Sequence, residues 1–199
     1  YSLNNTRNFT RIEATRRYYK EDDLTLVSSL EQPSFLDGRG SVHNLRTGID
    51  YSLNPRSTIG LVFTGLVLNR KSGGNNEARW LAPGGNTDSI IQTISNNNNH
   101  WESEGASLSF NHNASASRSF SSAIDLVGYK IRALQHFNNS GVYPAVYQEA
   151  TRASLPSTIK ILSGRVDYAD GWKGLKWETG IKTAHITTDN LAAYEWLDG

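Results

Sequence analysis

The chain of 199 residues contains no cysteine and no methionine. Without cysteine there is no disulfide framework, no thiolate metal site and no cysteine nucleophile. There is no excess of charge of either sign, with 20 basic against 19 acidic residues. A basic footprint for nucleic acid or for an anionic membrane surface is therefore missing. No apolar run approaches ~18 residues, which excludes a transmembrane helix. The mean hydropathy of −0.51 leaves a membrane strand open, because such a strand needs only every second residue apolar. The opening Tyr1-Ser2-Leu3-Asn4 has neither a charged nor an apolar leader segment, and the close, Leu197-Asp198-Gly199, reads as loop. Both ends are expected to be internal to a larger polypeptide.

What the chain does have is tyrosine and tryptophan, nine and five against six phenylalanines. Amphipathic rings in such excess suit a surface that meets membrane interfaces, and equally a carbohydrate-binding or simply β-rich protein. Period-two alternation is clearest over residues 45–53, where Leu45, Thr47, Ile49, Tyr51 and Leu53 share one face and Arg46, Gly48, Asp50 and Ser52 the other. Asn54-Pro55 then turns the chain, Pro55 pre-setting its dihedral and Asn54 bonding back. The return strand, 58–69, carries Ile59, Leu61, Phe63 and Val67 in one register. A second pair flanks the turn at 113–117. Its outgoing strand changes apolar parity after Leu126 to Val127, Tyr129, Ile131 and Ala133, which implies either a β-bulge or departure from a membrane. In a third pair, Leu162, Val166 and Tyr168 oppose Arg165 and Asp167, and Leu175, Trp177 and Ile181 oppose Lys176, Glu178 and Lys182. An N-terminal pair, 8–19 and 24–30, also fits a helix over 12–30. Strands are favoured because Tyr18-Tyr19 precedes the polar turn Lys20-Glu21-Asp22-Asp23.

Short turns at 20–23, 54–57, 113–117 and 169–174 alternate with longer Asn/Gly/Ser-rich connections at 32–42, 71–99, 136–156 and 188–199. That alternation predicts an all-β fold, an antiparallel up-and-down transmembrane β-barrel segment of about eight strands in four hairpins. Short turns would face one compartment and long loops the other. Within the 71–99 connection, residues 89–95 are expected to form the top of a strand projecting above the membrane. Leu45, Ile49, Tyr51, Leu175, Trp177 and Ile181 are expected to face lipid. Arg46, Asp50, Arg165, Lys176, Glu178 and Lys182 are the candidate lumen-lining residues. The whole chain, 1–199, reads as one partial barrel domain.

The segment 44–60, with Gly48-Ile49-Asp50-Tyr51 before the turn and Thr58-Ile59-Gly60 after it, resembles the outer-membrane barrel domain of a TonB-dependent-receptor-like family of Bacteroidetes. Residues 88–101, with their Asn run, and 162–181, with Asp167-Tyr168 and then Gly174-Leu175-Lys176-Trp177-Glu178-Thr179-Gly180-Ile181, are similar to it too. The resemblance covers roughly 42–194. It implies a bacterial outer-membrane location and uptake or passage of a nutrient or chelate. The implied partners are outer-membrane lipid, the remainder of a larger barrel with a plug domain, and a periplasmic energy-transducing protein or a surface lipoprotein. Neither nucleic acid nor a cofactor is implied. The competing readings are a non-transporting barrel that docks in an envelope assembly, a complete eight-stranded barrel, and a soluble β-sandwich.

No catalytic constellation stands out, and an enzyme is not expected. Asp50-Tyr51 and Asp167-Tyr168 sit at matching places in two hairpins and read as inward aspartates beside girdle tyrosines rather than ion ligands. His100, His112, His136 and His185 lack metal-ligand spacing. Glu102 and Glu104, two apart on one strand, read as solvated residues at a strand top rather than a glycosidase pair.

Overall fold

A computed structural model describes residues 1–172 and 174–197. Lys173, in the expected last turn, and Asp198 and Gly199, in the expected terminal loop, lie outside the described residues, as does the side chain of Trp172. The strands are β1 (Ser2–Tyr19), β2 (Leu26–Asn54), β3 (Ser57–Leu81), β4 (Thr87–Asn113), β5 (Ser119–Tyr143), β6 (Tyr147–Trp172), β7 (Leu175–Asn190) and β8 (Ala193–Leu197). They form one antiparallel sheet in the order β1-β2-β3-β4-β5-β6-β7, with β8 also on β6. The fold is therefore all-β, antiparallel and up-and-down. β1 and β7 do not pair with one another, so the sheet is not closed into a barrel.

The turn at Pro55-Arg56, the turn at 114–118 and the connection between Trp172 and Leu175 share one end of the sheet, the near end. Asn54 Oδ1 accepts from the Arg56 N–H at 2.9 Å, the local bond that makes Asn a turn residue. Neighbouring turns are tied together by Asn113 N–H to the Arg56 carbonyl, 2.8 Å, and by Arg118 Nε to Asp170 Oδ2, 3.0 Å.

The expected alternation of short turns with long loops does not hold. Residues 32–42 lie within β2, 71–81 within β3, 87–99 within β4, 136–143 within β5 and 147–156 within β6. What remains at the far end are the turns 20–25, 82–86 and 144–146, of three to six residues each, in place of long loops. The expected strands 24–30 and 45–53 are one strand, β2, so the four hairpins do not occur as drawn. Lys20-Glu21-Asp22-Asp23 turns at the far end, opposite Asn54. The reason is that Asn and Gly runs disfavour strand only when the chain stands alone. Here each such segment lies between two neighbours, and the ladder fixes it: β3 and β4 pair from Ser57↔His112 to Leu81↔Thr87, broken only next to Trp80. Asparagine and its polar neighbours add cross-strand bonds, Asn76 Nδ2 to Ser34 Oγ at 2.6 Å and Thr93 Oγ1 to Asn139 Oδ1 at 2.8 Å. The expected strand at 89–95 is present, inside β4.

The terminal segment departs from the expected loop in the same way. β7 and β8 keep a single register along β6, from Trp172↔Leu175 through Ser157↔Asn190 and Ser154↔Ala193 to Ala150↔Leu197. They are one strand interrupted at residues 191–192, where the Leu191 N–H still reaches the Pro156 carbonyl at 3.1 Å.

Backbone conformation fixes one turn directly. Gly85, with φ 83°, occupies the left-handed region in the 82–86 turn and donates to the Ala82 carbonyl at 2.8 Å. Gly85→Ala is expected to cost ~1 kcal/mol, since an L side chain is disfavoured there. Urea titration beside Gly84→Ala is the check, and equal midpoints for the two variants would contradict it.

Candidate functional site

Residues paired directly across strands point to the same side of a sheet, so the registers divide the side chains into two faces. One face carries the row Tyr51–Ile59–Phe110–Ser122–Val166–Ile181. Around that row lie Leu45, Ile49, Leu61, Phe63, Val67, Leu108, Ile124, Leu126, Leu162 and Trp177. The Tyr168 and Trp177 rings meet at 5.3 Å and those of Phe110 and Phe120 at 6.2 Å. This apolar belt crosses six strands and starts at the near-end turns. It runs for about nine residues on β2 (45–53), β3 (59–67) and β7 (175–183) and for five to seven on β4 (106–110), β5 (120–126) and β6 (162–168), or ~17–30 Å at ~3.3 Å per residue. It then stops on every strand: His43, Asn69, Glu104, Lys130, Lys160 and His185 are the next residues on that face.

The opposite face is polar over the same rows. Arg46, Asp50, Arg165, Lys176, Glu178 and Lys182 all lie on it, exposed, in two groups: Arg46 and Asp50 on β2, the other four on β6 and β7. Arg165 and Lys182 are direct cross-strand partners. None of the six forms an ion pair with a described residue. Between the two groups lie Asp125, which sequence reasoning passed over, and Asp167, which it read as inward. Asp125 on β5 accepts from Ser107 of β4 at 2.6 Å and from Ser163 of β6 at 3.4 Å, joining three strands. Asp167 accepts from Ser121 at 3.5 Å. The serine-rich polar parity of these strands was the available signal, but serine alone does not separate a wetted interior face from an ordinary exposed one.

The matching Asp-Tyr pairs have the same surroundings. Asp50 is paired with Gly60 and Asp167 with Gly180. Each carboxylate lies over the bare glycine of the adjoining strand: a Cβ on Gly60 would come within 2.7 Å of Asp50 Oδ1, and one on Gly180 would collide with Asp167 Oδ1. Tyr51 and Tyr168 point to the apolar side. Tyr18, by contrast, lies at the far end, where its ring stacks on Trp80 at 5.4 Å above the buried Leu30. The expected Tyr18-Tyr19 pair therefore does not belong with the aromatic residues at the near-end turns.

Beyond the belt the two faces exchange character. The face that was polar now carries Leu66, Leu68, Trp101, Val127, Tyr129, Ile131, Ile159 and Ile161, while the formerly apolar one carries Glu102, Glu104, Lys130, Arg132 and Lys160. No bulge accompanies the parity change after Leu126, for β5 keeps one register with β6 from Ser119↔Ala169 to Gly141↔Tyr147. The side chains on each face change character and the backbone register does not. Glu102 accepts from His100 Nε2 at 2.9 Å and from Arg132 Nη2 at 3.4 Å. Its carboxyl is held below the usual carboxylate range first by the His100 bond, against the effect of burial, with Arg132, His100 and Lys130 adding charge. A carboxyl lowered in this way contributes stability above the ordinary glutamate pKa and loses it as pH falls through the lowered value. No group of three His, Cys, Asp or Glu residues able to hold a metal ion occurs among the described residues. No family model matches the chain, and no curated protein matches it.

Proposed function

We propose that the chain is a wall segment of an outer-membrane β-barrel larger than its own strands, through which a nutrient or chelate passes. The observation that carries this reading is the belt: apolar side chains on one face of six adjacent strands, up to ~30 Å long measured along the strand, ending on charged or polar residues. A tilted strand crosses a bilayer core in ~9–11 residues, which matches the belt on β2, β3 and β7 and not the full strands. The strands would continue beyond the membrane for about as many residues again. Apolar-out and polar-in alternation with aromatic rings at one margin is what lipid on one side and water on the other select.

On this reading the face bearing Arg46, Asp50, Asp125, Arg165, Asp167 and Lys182 lines the interior, wet at membrane depth. Carboxylates, hydroxyls and cations alternating on one surface bind a hydrated polar solute weakly at many places, which suits passage. The remaining wall, a plug and an energy-transducing or surface partner would be supplied by other polypeptide segments. A docking barrel without transport needs the belt too but has no use for a polar inner face able to bind a solute.

Trp177, on the belt near its turn-side margin, provides the test. In chains retaining Trp177 as the one tryptophan, brominated lipid is expected to quench its fluorescence strongly. Chains retaining only Trp80, at the far end, are expected to resist quenching. Equal quenching of both, or of neither, would remove the belt reading.

A further inference from the structure

Beyond the belt, on the belt's own face, three cations stand side by side on β1, β2 and β3. Arg7 is the direct cross-strand partner of Arg39, and Arg39 of Lys71. All three are exposed. Directly opposite side chains have Cβ atoms ~5 Å apart, close enough for like charges to oppose the pairing. Four other arginines on this face are each matched by a carboxylate: Arg11 by Glu13, Arg79 by Glu77, Arg132 by Glu102 and Arg152 by Glu195. Arg7, Arg39 and Lys71 form no ion pair with a described residue. Asp37, two residues from Arg39 and opposite Gly73, is the one carboxylate flanking the row among the described residues. The row therefore sets three positive charges against one negative. Beside it lie the amides of Asn5 and Asn98 and the ring of Phe9, which is 78% exposed.

We propose that this row seats a phosphorylated sugar headgroup of an outer-leaflet glycolipid. Arg7, Arg39 and Lys71 hold the phosphate, Phe9 underlies a sugar ring, and Asn5 and Asn98 meet hydroxyls. The site rests on the membrane reading above. Guanidinium forks match pairs of phosphate oxygens, and the Lys71 ammonium adds a point charge that needs no fixed approach angle. Three adjacent strands span ~10 Å, enough for a diphosphate or for phosphates on neighbouring sugars. Height selects the source. Barrels of this kind keep short turns inside and long extensions outside, which puts the far end at the cell surface. Arg39 lies six residues beyond Leu45 on β2 and Lys71 four beyond Val67 on β3, hence ~13–20 Å along the strands. With strands tilted by about 40° the row stands ~10–15 Å above the hydrocarbon, level with headgroup sugars and phosphates rather than acyl chains. A solute in passage would be read by the opposite, inner face, which carries none of the three cations.

The test places the chain in neutral detergent micelles containing brominated lipid. Lipopolysaccharide, its enzymatically dephosphorylated form, or glucose 6-phosphate is then titrated in, with binding followed by thermophoresis. Intact lipopolysaccharide is expected to bind tightest. Arg7→Gln, Arg39→Gln and Lys71→Gln should each weaken its binding about fivefold, and together about a hundredfold. The dephosphorylated form should bind the unaltered chain only as weakly as the intact form binds the triple variant. Asp37→Asn should strengthen binding, and Phe9→Ala should weaken binding of both forms alike. Lys20→Gln, at a far-end turn, should change nothing. Quenching of Trp177, kept as the one tryptophan, reports on the belt in the same micelles. If Trp177 is quenched and the two forms bind equally, the glycolipid site is overturned and the belt stands. Preference that survives in the triple variant overturns the site too. So does glucose 6-phosphate binding as tightly as lipopolysaccharide, which would mean a free phosphosugar. Were Trp177 unquenched, the membrane reading and the glycolipid site would fall together, whatever the binding.

Discussion

Ile181→Arg is expected to cost ~2–4 kcal/mol of folding stability in lipid, while its neighbour Lys182→Leu is expected to fall within about ±0.5 kcal/mol. Ile181 is 77% exposed, so its own packing contributes little and the difference comes from the medium it faces. Its cross-strand partner is Val166 and its same-face neighbours along β7 are Thr179 and Thr183. No carboxylate stands among them to pair with an arginine. Lys182 points the other way, directly opposite Arg165, and removing it relieves a like-charge cross-strand contact. Urea unfolding of both variants in the same vesicles decides the matter. Were the protein a water-soluble sheet, an exposed isoleucine replaced by arginine would be close to neutral, and the two variants would unfold alike. That outcome would reverse the assignment of faces across all six belt strands, because Ile181 shares its row with Tyr51, Ile59 and Phe110.

How much of this was legible depended on whether the local pattern and the final environment agreed. Residues 45–53 and 175–183 alternate strictly, one parity carrying the large apolar side chains and the other the charged ones from end to end. Their parity alone placed Leu45, Ile49, Leu175 and Ile181 on one side and Arg46, Asp50, Lys176 and Lys182 on the other. The turn at Asn54-Pro55 was legible for a local reason, the Asn54 bond to the Arg56 N–H. Residues 96–99 were illegible because nothing in Asn-Asn-Asn-Asn prefers a strand. They are extended because β3 and β5 stand on either side, a non-local cause that composition does not record. The far end was misjudged for the same reason, with strand mistaken for loop in every long connection. The parity change after Leu126 was visible, but not that it occurs without a bulge: only the unbroken β5–β6 register excludes one. Among site residues, Asp125 was missed because its partners Ser107 and Ser163 come from strands on either side, at separations of 18 and 38 residues.

The edges of the sheet yield the second large effect. β1 pairs with β2 only along Ser2↔Asn44 to Tyr19↔Leu26, so it lies wholly beyond the belt. At belt height the open edges are therefore residues 45–53 of β2 on one side and 175–183 of β7 on the other. Each edge presents unpaired N–H and C=O groups at every second residue, and in hydrocarbon each unsatisfied group costs several kcal/mol. Six belt strands with two bare edges cannot rest in a bilayer. Either the edges meet one another or further strands occupy them. The expected result is that a chain carrying Ile49→Cys together with one cysteine at any same-face position of β7 from Leu175 to Thr187 forms no disulfide within itself on oxidation. Bridging requires Cα atoms within ~7 Å; a closed small barrel, whose joining strands are staggered by its shear, would provide that at one of these positions, and a segment of a wider wall would not. Cross-links from the same cysteines to other chains, including copies of this one, are expected in their place, because exposed strand edges recruit any strand within reach. Chain-internal cross-linking of Ile49→Cys to any of these β7 positions would close the sheet at six belt strands and end the wider-wall reading.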